Sequence, residues 1–121
     1  MKAFFIILTI CVIMVSGIIY NSIYVQNFAT DAQEQLSSIS FDDKDLPQRL
    51  SSFTSFTEKM LKKVEFAIPH TKTELAEDYL DLLNLHASSE ERSEFEKTRV
   101  LLMNLFKEIG DLQKTDLSNI L

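Results

Sequence analysis

The chain has no tryptophan, only two glycines, two prolines and a single cysteine in 121 residues, and each shortage excludes something. With so little Gly and Pro, a turn-rich β-fold lacks its punctuation, while the abundant Leu, Glu, Lys, Gln and Ala favour helix. One cysteine, Cys11, closes no internal disulfide, so the fold must be held by packing. Basic charge is also short: 12 Lys and Arg stand against 18 Asp and Glu, a formal net charge of −6. That balance argues against a nucleic-acid partner and against an electrostatic grip on anionic lipid. Catalytic signatures are missing as well. There is no G-x-S-x-G elbow and no HExxH, and neither His70 nor His86 has an acidic residue three positions before it. A nucleophile elbow, a zinc-protease site and a di-metal bundle site are thereby excluded. The expectation is a protein that is not an enzyme and carries no cofactor.

What the chain does have is an apolar run. Ala3 to Val25 contains no charged residue, and as a helix it would rise about 35 Å, enough to cross a hydrocarbon core of about 30 Å with some tilt. Ile, Leu, Val and Phe dominate the run and outweigh Thr9, Ser16, Asn21 and Ser22 on a membrane-insertion scale. Residues 1–25 therefore read as a transmembrane anchor in contact with lipid through residues 3–25. The competing reading is a cleaved signal peptide, with Lys2 as its basic end and Val15-Ser16-Gly17 as its cleavage site, which would leave a secreted protein. Tyr20 and Tyr24 suit the far interface, and apolar spacing continues through Phe28, Ala32 and Leu36, so cleavage after Gly17 would expose a greasy stub. The uncleaved anchor is the favoured reading. Lys2 flanks one side and Asp31 and Glu34 the other, which orients the N-terminus to the cytoplasm and residues 26–121 outward.

The outer part reads as all-α, a small antiparallel bundle of three helices following a juxtamembrane helix that continues the anchor. Val25, Phe28, Ala29, Ala32, Leu36 and Ile39 recur at helical spacing and place the juxtamembrane helix at 26–38. Asp45, Pro47 and Gln48 read as the start of a helix over 46–68, with Asp45 as its N-cap. Leu46, Leu50, Phe53, Phe56 or Thr57, Met60, Leu61 and Val64 form its near-heptad face, and Pro69 ends it. Thr71 and Glu74 cap a helix over 72–87 whose inner side carries Leu75, Tyr79, Leu82, Leu83 and His86. Ser88, Ser89, Glu90 and Glu91 begin a helix over 90–109, striped by Phe95, Leu102, Leu105, Phe106 and Ile109. Gly110 suits a left-handed residue that stops this helix, leaving 111–121 as a tail that docks through Leu117, Ile120 and Leu121.

This order of parts, with His70 in the Ile68-Pro69-His70 connection and Leu117-Ser118-Asn119-Ile120-Leu121 at the end, resembles an uncharacterised family of small, N-terminally membrane-anchored bacterial proteins, a domain of unknown function. Members tend to have Asp before that His, where this chain has Pro69, and aromatic residues at the end of the second helix, where it has Phe66. The resemblance implies the architecture, and it points to His70, Leu117, Asn119, Ile120 and Leu121 without implying an activity.

Two sets of residues are candidates for a site. Glu74, Glu77, Asp78 and Asp81 line one side of the third helix and are weak candidates for a hard cation, a solvated face being the simpler reading. Phe53, Phe56 and Phe66 spread too widely around the second helix to share one seam, so an outward-facing remainder would contact a partner. The function expected is a membrane-anchored, non-catalytic interaction or accessory subunit of a membrane or envelope complex, as a monomer or a homo-oligomer. The alternative is a sensor that holds a small ligand in an apolar groove between helices and acts through a partner.

Overall fold

A computed structural model describes residues 1–65 and 68–120, without the side chains of 115–120. Its helices are α1 (Lys2–Ser38), α2 (Leu46–Val64), α3 (His70–Ser88) and α4 (Arg92–Ile120), and the described residues include no strand. No proline interrupts residues 2–38, so α1 propagates as one rod of about 55 Å. Its two halves meet different surroundings. Phe4 to Val15 is exposed on every face, whereas from Ser22 onward the rod buries Ser22, Val25, Phe28, Ala29, Ala32 and Leu36 along one stripe.

That stripe makes the second half of α1 a full member of the bundle. The all-α antiparallel bundle expected from the sequence is present, and the rod that leads into it takes part: four helices close a ring in which α1 packs on α2 and α4, and α3 packs on the same two. Cross-helix pairs set the directions. Ser22 pairs with Gln113 and Leu36 with Arg99, so α4 runs antiparallel to α1. Tyr24 with Met60 and Ser38 with Arg49 do the same for α2, and Lys72 with Glu108 for α3 against α4. The C-terminal ends of α2 and α4 and the N-terminal end of α3 therefore gather at one base, where the exposed part of α1 begins.

The core is aromatic at its centre. Phe106 meets Phe28 edge-on at 5.6 Å between ring centroids and Phe53 at 6.4 Å, an arrangement that adds to burial through the ring quadrupoles. The stripes expected on α1, α2 and α4 are the buried ones, with Thr57 rather than Phe56 at the shared position. On α3 the inner face is Thr73, Ala76, Leu80 and Leu83; of the expected face only Leu83 is buried, while Leu75, Tyr79 and His86 are half-buried and Leu82 is exposed. Leucines nearly encircle that helix, so hydrophobicity alone does not choose among them, and the small Thr73 and Ala76 give the neighbours close access.

Several terminal signals act differently from the expectation. Asp45 precedes α2 but makes no side-chain capping bond. Asp43 organises the connection instead: its Oδ2 accepts from the Ser40 amide at 2.8 Å and from Arg49 Nη1 at 2.5 Å. Pro69 directly precedes α3, which starts at His70 with no side-chain cap from Thr71. After α3, Glu90 takes a left-handed φ of 55° and the Glu91 amide donates back to the His86 carbonyl at 3.0 Å. This is the six-to-one closure of a Schellman turn, with Glu90 where glycine is common. Gly110 does not stop α4, which continues to Ile120, so residues 111–120 of the expected tail are further turns of helix. A Cβ at Gly110 would lie 3.3 Å from that of Ala29. The glycine is there for close approach between two helices.

Two substitutions test this packing by chemical denaturation of the detergent-held chain. Gly110→Leu forces α1 and α4 apart and is expected to cost about 1–3 kcal/mol. Thr57 is fully buried and its hydroxyl has no hydrogen-bond partner, so Thr57→Val should stabilise by about 1 kcal/mol by removing a desolvated polar atom.

Candidate functional site

The acidic face of α3 is a solvated one. Glu74, Glu77, Asp78 and Asp81 are all exposed, and Glu74 Oε1 lies 2.8 Å from His70 Nε2 in a pair that water reaches freely. No three His, Cys, Asp or Glu side chains converge as metal ligands among the described residues. One straight helix presents its carboxylates side by side and supplies no loop carbonyls to wrap a cation. His86 is tied to the α3–α4 turn, its Nδ1 3.0 Å from Glu91 Oε2, which gives it a local role at the helix end.

The aromatic candidates lie largely inside. Phe53 is 2% exposed and belongs to the core, and Phe56 is half-buried with its ring 6.2 Å from that of Phe28. Both are corrected from surface candidates to packing residues, because the four-helix ring has a wider interior than a seam between three outer helices. Phe66 lies outside the described residues, as do the side chains of Leu117, Asn119 and Ile120 and all of Leu121. His70 stands at the base of the bundle, exposed, at the first turn of α3.

The exposed apolar surface of the bundle is elsewhere. Leu82 (41%) and Leu85 (55%) on α3, and Val100 and Leu101 (48% each) on α4, face solvent. The register fixed by Lys72 with Glu108 and by His86 with Glu91 brings Leu82 and Leu101 to within about one helical turn of the same level. The sequence contained this signal as an excess of leucines over what one α3 stripe can bury. An open apolar groove beside Val100 and Leu101 is bordered by Glu96 and Lys97, a polar rim around an apolar centre.

At the end of the bundle away from the base, ion pairs join the connections. Arg92 bonds Asp42 and lies 5.3 Å over the ring of Phe41, while Phe41 packs edge-on against Phe95. The Asp42 carboxylate, as hydrogen-bond partner and then as countercharge, raises the Arg92 pKa, so the guanidinium is held in its charged form. Arg99 bridges Glu96 at 2.8 Å and reaches the Leu36 carbonyl at 3.4 Å. These contacts anchor α4 to the end of α1. None of them places a nucleophile or general base beside a cleft.

The grooves between helices are surface features. The α1–α2 groove, lined by Gln35, Ser38, Ile39, Asp45, Gln48, Arg49, Ser52 and Phe53, mixes polar and apolar groups, and the α1–α4 groove near Gly110 is lined by Gln26, Asn27, Thr30 and Lys107 among others. Between them Phe28, Leu36, Leu80, Phe95 and Phe106 fill the interior at 1% exposure or less. No family model, curated protein or solved structure matches this chain.

If the acidic face is only solvated, millimolar calcium should leave the thermal unfolding midpoint of the full chain unchanged, and His70→Ala should change stability by less than about 0.5 kcal/mol. Differential scanning fluorimetry reads both, and a calcium-dependent rise that Glu77→Gln abolishes would restore the cation site.

Proposed function

We propose that the chain is a membrane-anchored, non-catalytic interaction protein that presents a helical bundle on the extracytoplasmic side to a membrane or envelope partner. The observation that carries this reading is the two-part character of α1. One helix near the N-terminus is long and apolar enough to cross a membrane, and none of its most apolar stretch is buried. The same helix passes without a break into the bundle core, so whatever holds its first half holds the bundle. Thr9, inside the apolar stretch, donates its hydroxyl to the Phe5 carbonyl at 2.8 Å, a local bond suited to a medium without water.

The stripe from Val25 to Leu36 is taken up by bundle packing, so it no longer argues against cleavage after Gly17. Support for the anchor comes instead from residues 3–18, predominantly apolar and exposed among the described residues, a surface that water does not favour. Lys2 before the run and Asp31 and Glu34 after it favour a cytoplasmic N-terminus. The partner-facing surface is the apolar group on α3 and α4. A ligand-sensing role receives less support, because the grooves, the apolar one beside Val100 and Leu101 included, lie open on the surface and do not enclose a cavity.

Intact mass and outside-added protease on the native cell test the address: a species beginning at Met1 and digested from outside is expected, whereas one beginning at Ile18 overturns the anchor. Cross-linking in the membrane followed by affinity capture tests the role. Recovery of a stoichiometric envelope protein, lost in Leu85→Asp/Val100→Asp with an unchanged melting midpoint, is expected. A monodisperse monomer with no captured partner would sink it.

A further inference from the structure

The whole-chain charge of −6 conceals a division that the fold makes visible. Residues 31–56 and 78–101 form the half of the bundle remote from the apolar segment, and they hold eleven carboxylates and five basic residues. The described residues of 22–30, 57–77 and 102–120 form the base, with six lysines and seven carboxylates. Most of the excess negative charge is thus held at the far end. At the base, Lys59, Lys62 and Lys63 are exposed on the last turns of α2, flanked by Glu58 and Glu65, and make no ion pair among the described residues. Lys114 is exposed on α4 one residue past Gln113, whose carbonyl accepts from Ser22.

There is also no spacer. Met60 on α2 meets Tyr24 on α1, so Lys62 and Lys63 come to about the level of Ser22, where α1 makes its first buried contact. Residues 3–20 would rise about 27 Å, close to the hydrocarbon thickness itself. α4 runs on past the Ser22 level to Ile120, so the base of the bundle stands at the headgroup layer, with the last turns of α4 reaching into it. Tyr20 and Tyr24, stacked at 6.4 Å, occupy the same level and suit that interface.

We infer that the base of the bundle is a lipid-contact surface, in which Lys59, Lys62, Lys63 and Lys114 engage the headgroups of anionic phospholipid around the anchor. The inference rests on the anchoring reading and adds the chemistry of what surrounds it. Flexible lysine stems reach several ångströms and keep the ammonium at the phosphate level. Attraction to anionic lipid acts within about 8 Å at physiological salt, which the base satisfies and the acidic far end, about 25 Å away, does not. The net negative charge of the chain therefore does not exclude anionic lipid. Lys62 and Lys63 also complement the carbonyl end of α2, but that role is independent of lipid and the test separates the two.

The full chain is placed in nanodiscs of phosphatidylcholine alone, or with one-third phosphatidylglycerol, and its lysines are acetylated under limiting reagent with site-resolved mass spectrometry. Lys59, Lys62, Lys63 and Lys114 are expected to react about threefold or more slowly in the anionic discs. Lys44 and Lys97, at the far end, should be unchanged, and high salt should remove the difference. Equal rates at the base in both lipids, or slowing only after an envelope extract is added, would overturn the lipid assignment. Failure of the anchor has its own signature, since the chain would then elute apart from the discs.

Discussion

Where α4 crosses α1, a glycine faces an alanine, and the proximity of those two backbones decides most of the remaining geometry. With Gly110 against Ala29, the helices approach closely enough for the Ser22 hydroxyl to donate to a backbone carbonyl of α4 at 3.1 Å, while Gln26 donates to the same hydroxyl oxygen at 3.1 Å. Phe106 can then insert between Phe28 and Phe53. A buried polar contact of this kind contributes little net energy, but it penalises any slipped register in which its partners go unpaired. Register in turn decides which chain ends share the base. Because α4 is locked antiparallel to α1, its C-terminal turns return toward the apolar segment instead of projecting away from it.

The helices themselves were legible in the sequence because hydrophobic spacing is a local property. The stripes of α1, α2 and α4 follow from three- and four-residue spacing, but the end at 68 that Pro69 predicts for the second helix is not where α2 stops: it ends at Val64, and Pro69 instead stands at the N-terminus of α3. What resisted reading depended on partners. Leu82 has the same hydrophobicity as Leu83, and only the placement of α2 and α4 decides that Leu83 is inside. Gly110 offers one chemical property, the missing side chain, that serves equally for a left-handed stop and for close packing; Ala29, 81 positions away in sequence, selects the second. Asp45 and Asp43 are both able to bond backbone amides, and Arg49 tips the choice by pairing with Asp43. The exposed leucines and valine were visible as surplus but not as a surface, because the level shared by Leu82 and Leu101 exists only once α3 and α4 are aligned.

Among the described residues, the polar chemistry at the surface serves the fold. Its ion pairs join connections to helices, its two histidines each face a carboxylate on a solvated surface, and its interior is closed by aromatic and aliphatic side chains. The polar groups lie outside a packed core and at helix ends, where they fix the connections. Among the described residues, the large exposed apolar groups lie along α1 as far as Ile23 and on α3 and α4, where Leu82, Leu85, Val100, Leu101 and Leu112 face solvent, and those are the places where something other than water would gain from contact.

The unbroken α1 has a mechanical consequence. Leu36, which marks the far end of the bundle core, stands fourteen residues beyond Ser22, so the proposed contact surface on α3 and α4 is held about 20 Å above the base. In the proposed anchoring a rod without a hinge would act as a fixed-height pedestal: a partner would have to bring its own binding face to that elevation, which would favour a protruding domain over a membrane-embedded helix. Any tilt of the anchor in a thinner or thicker bilayer would sweep that surface sideways, so bilayer thickness would become a coordinate of binding.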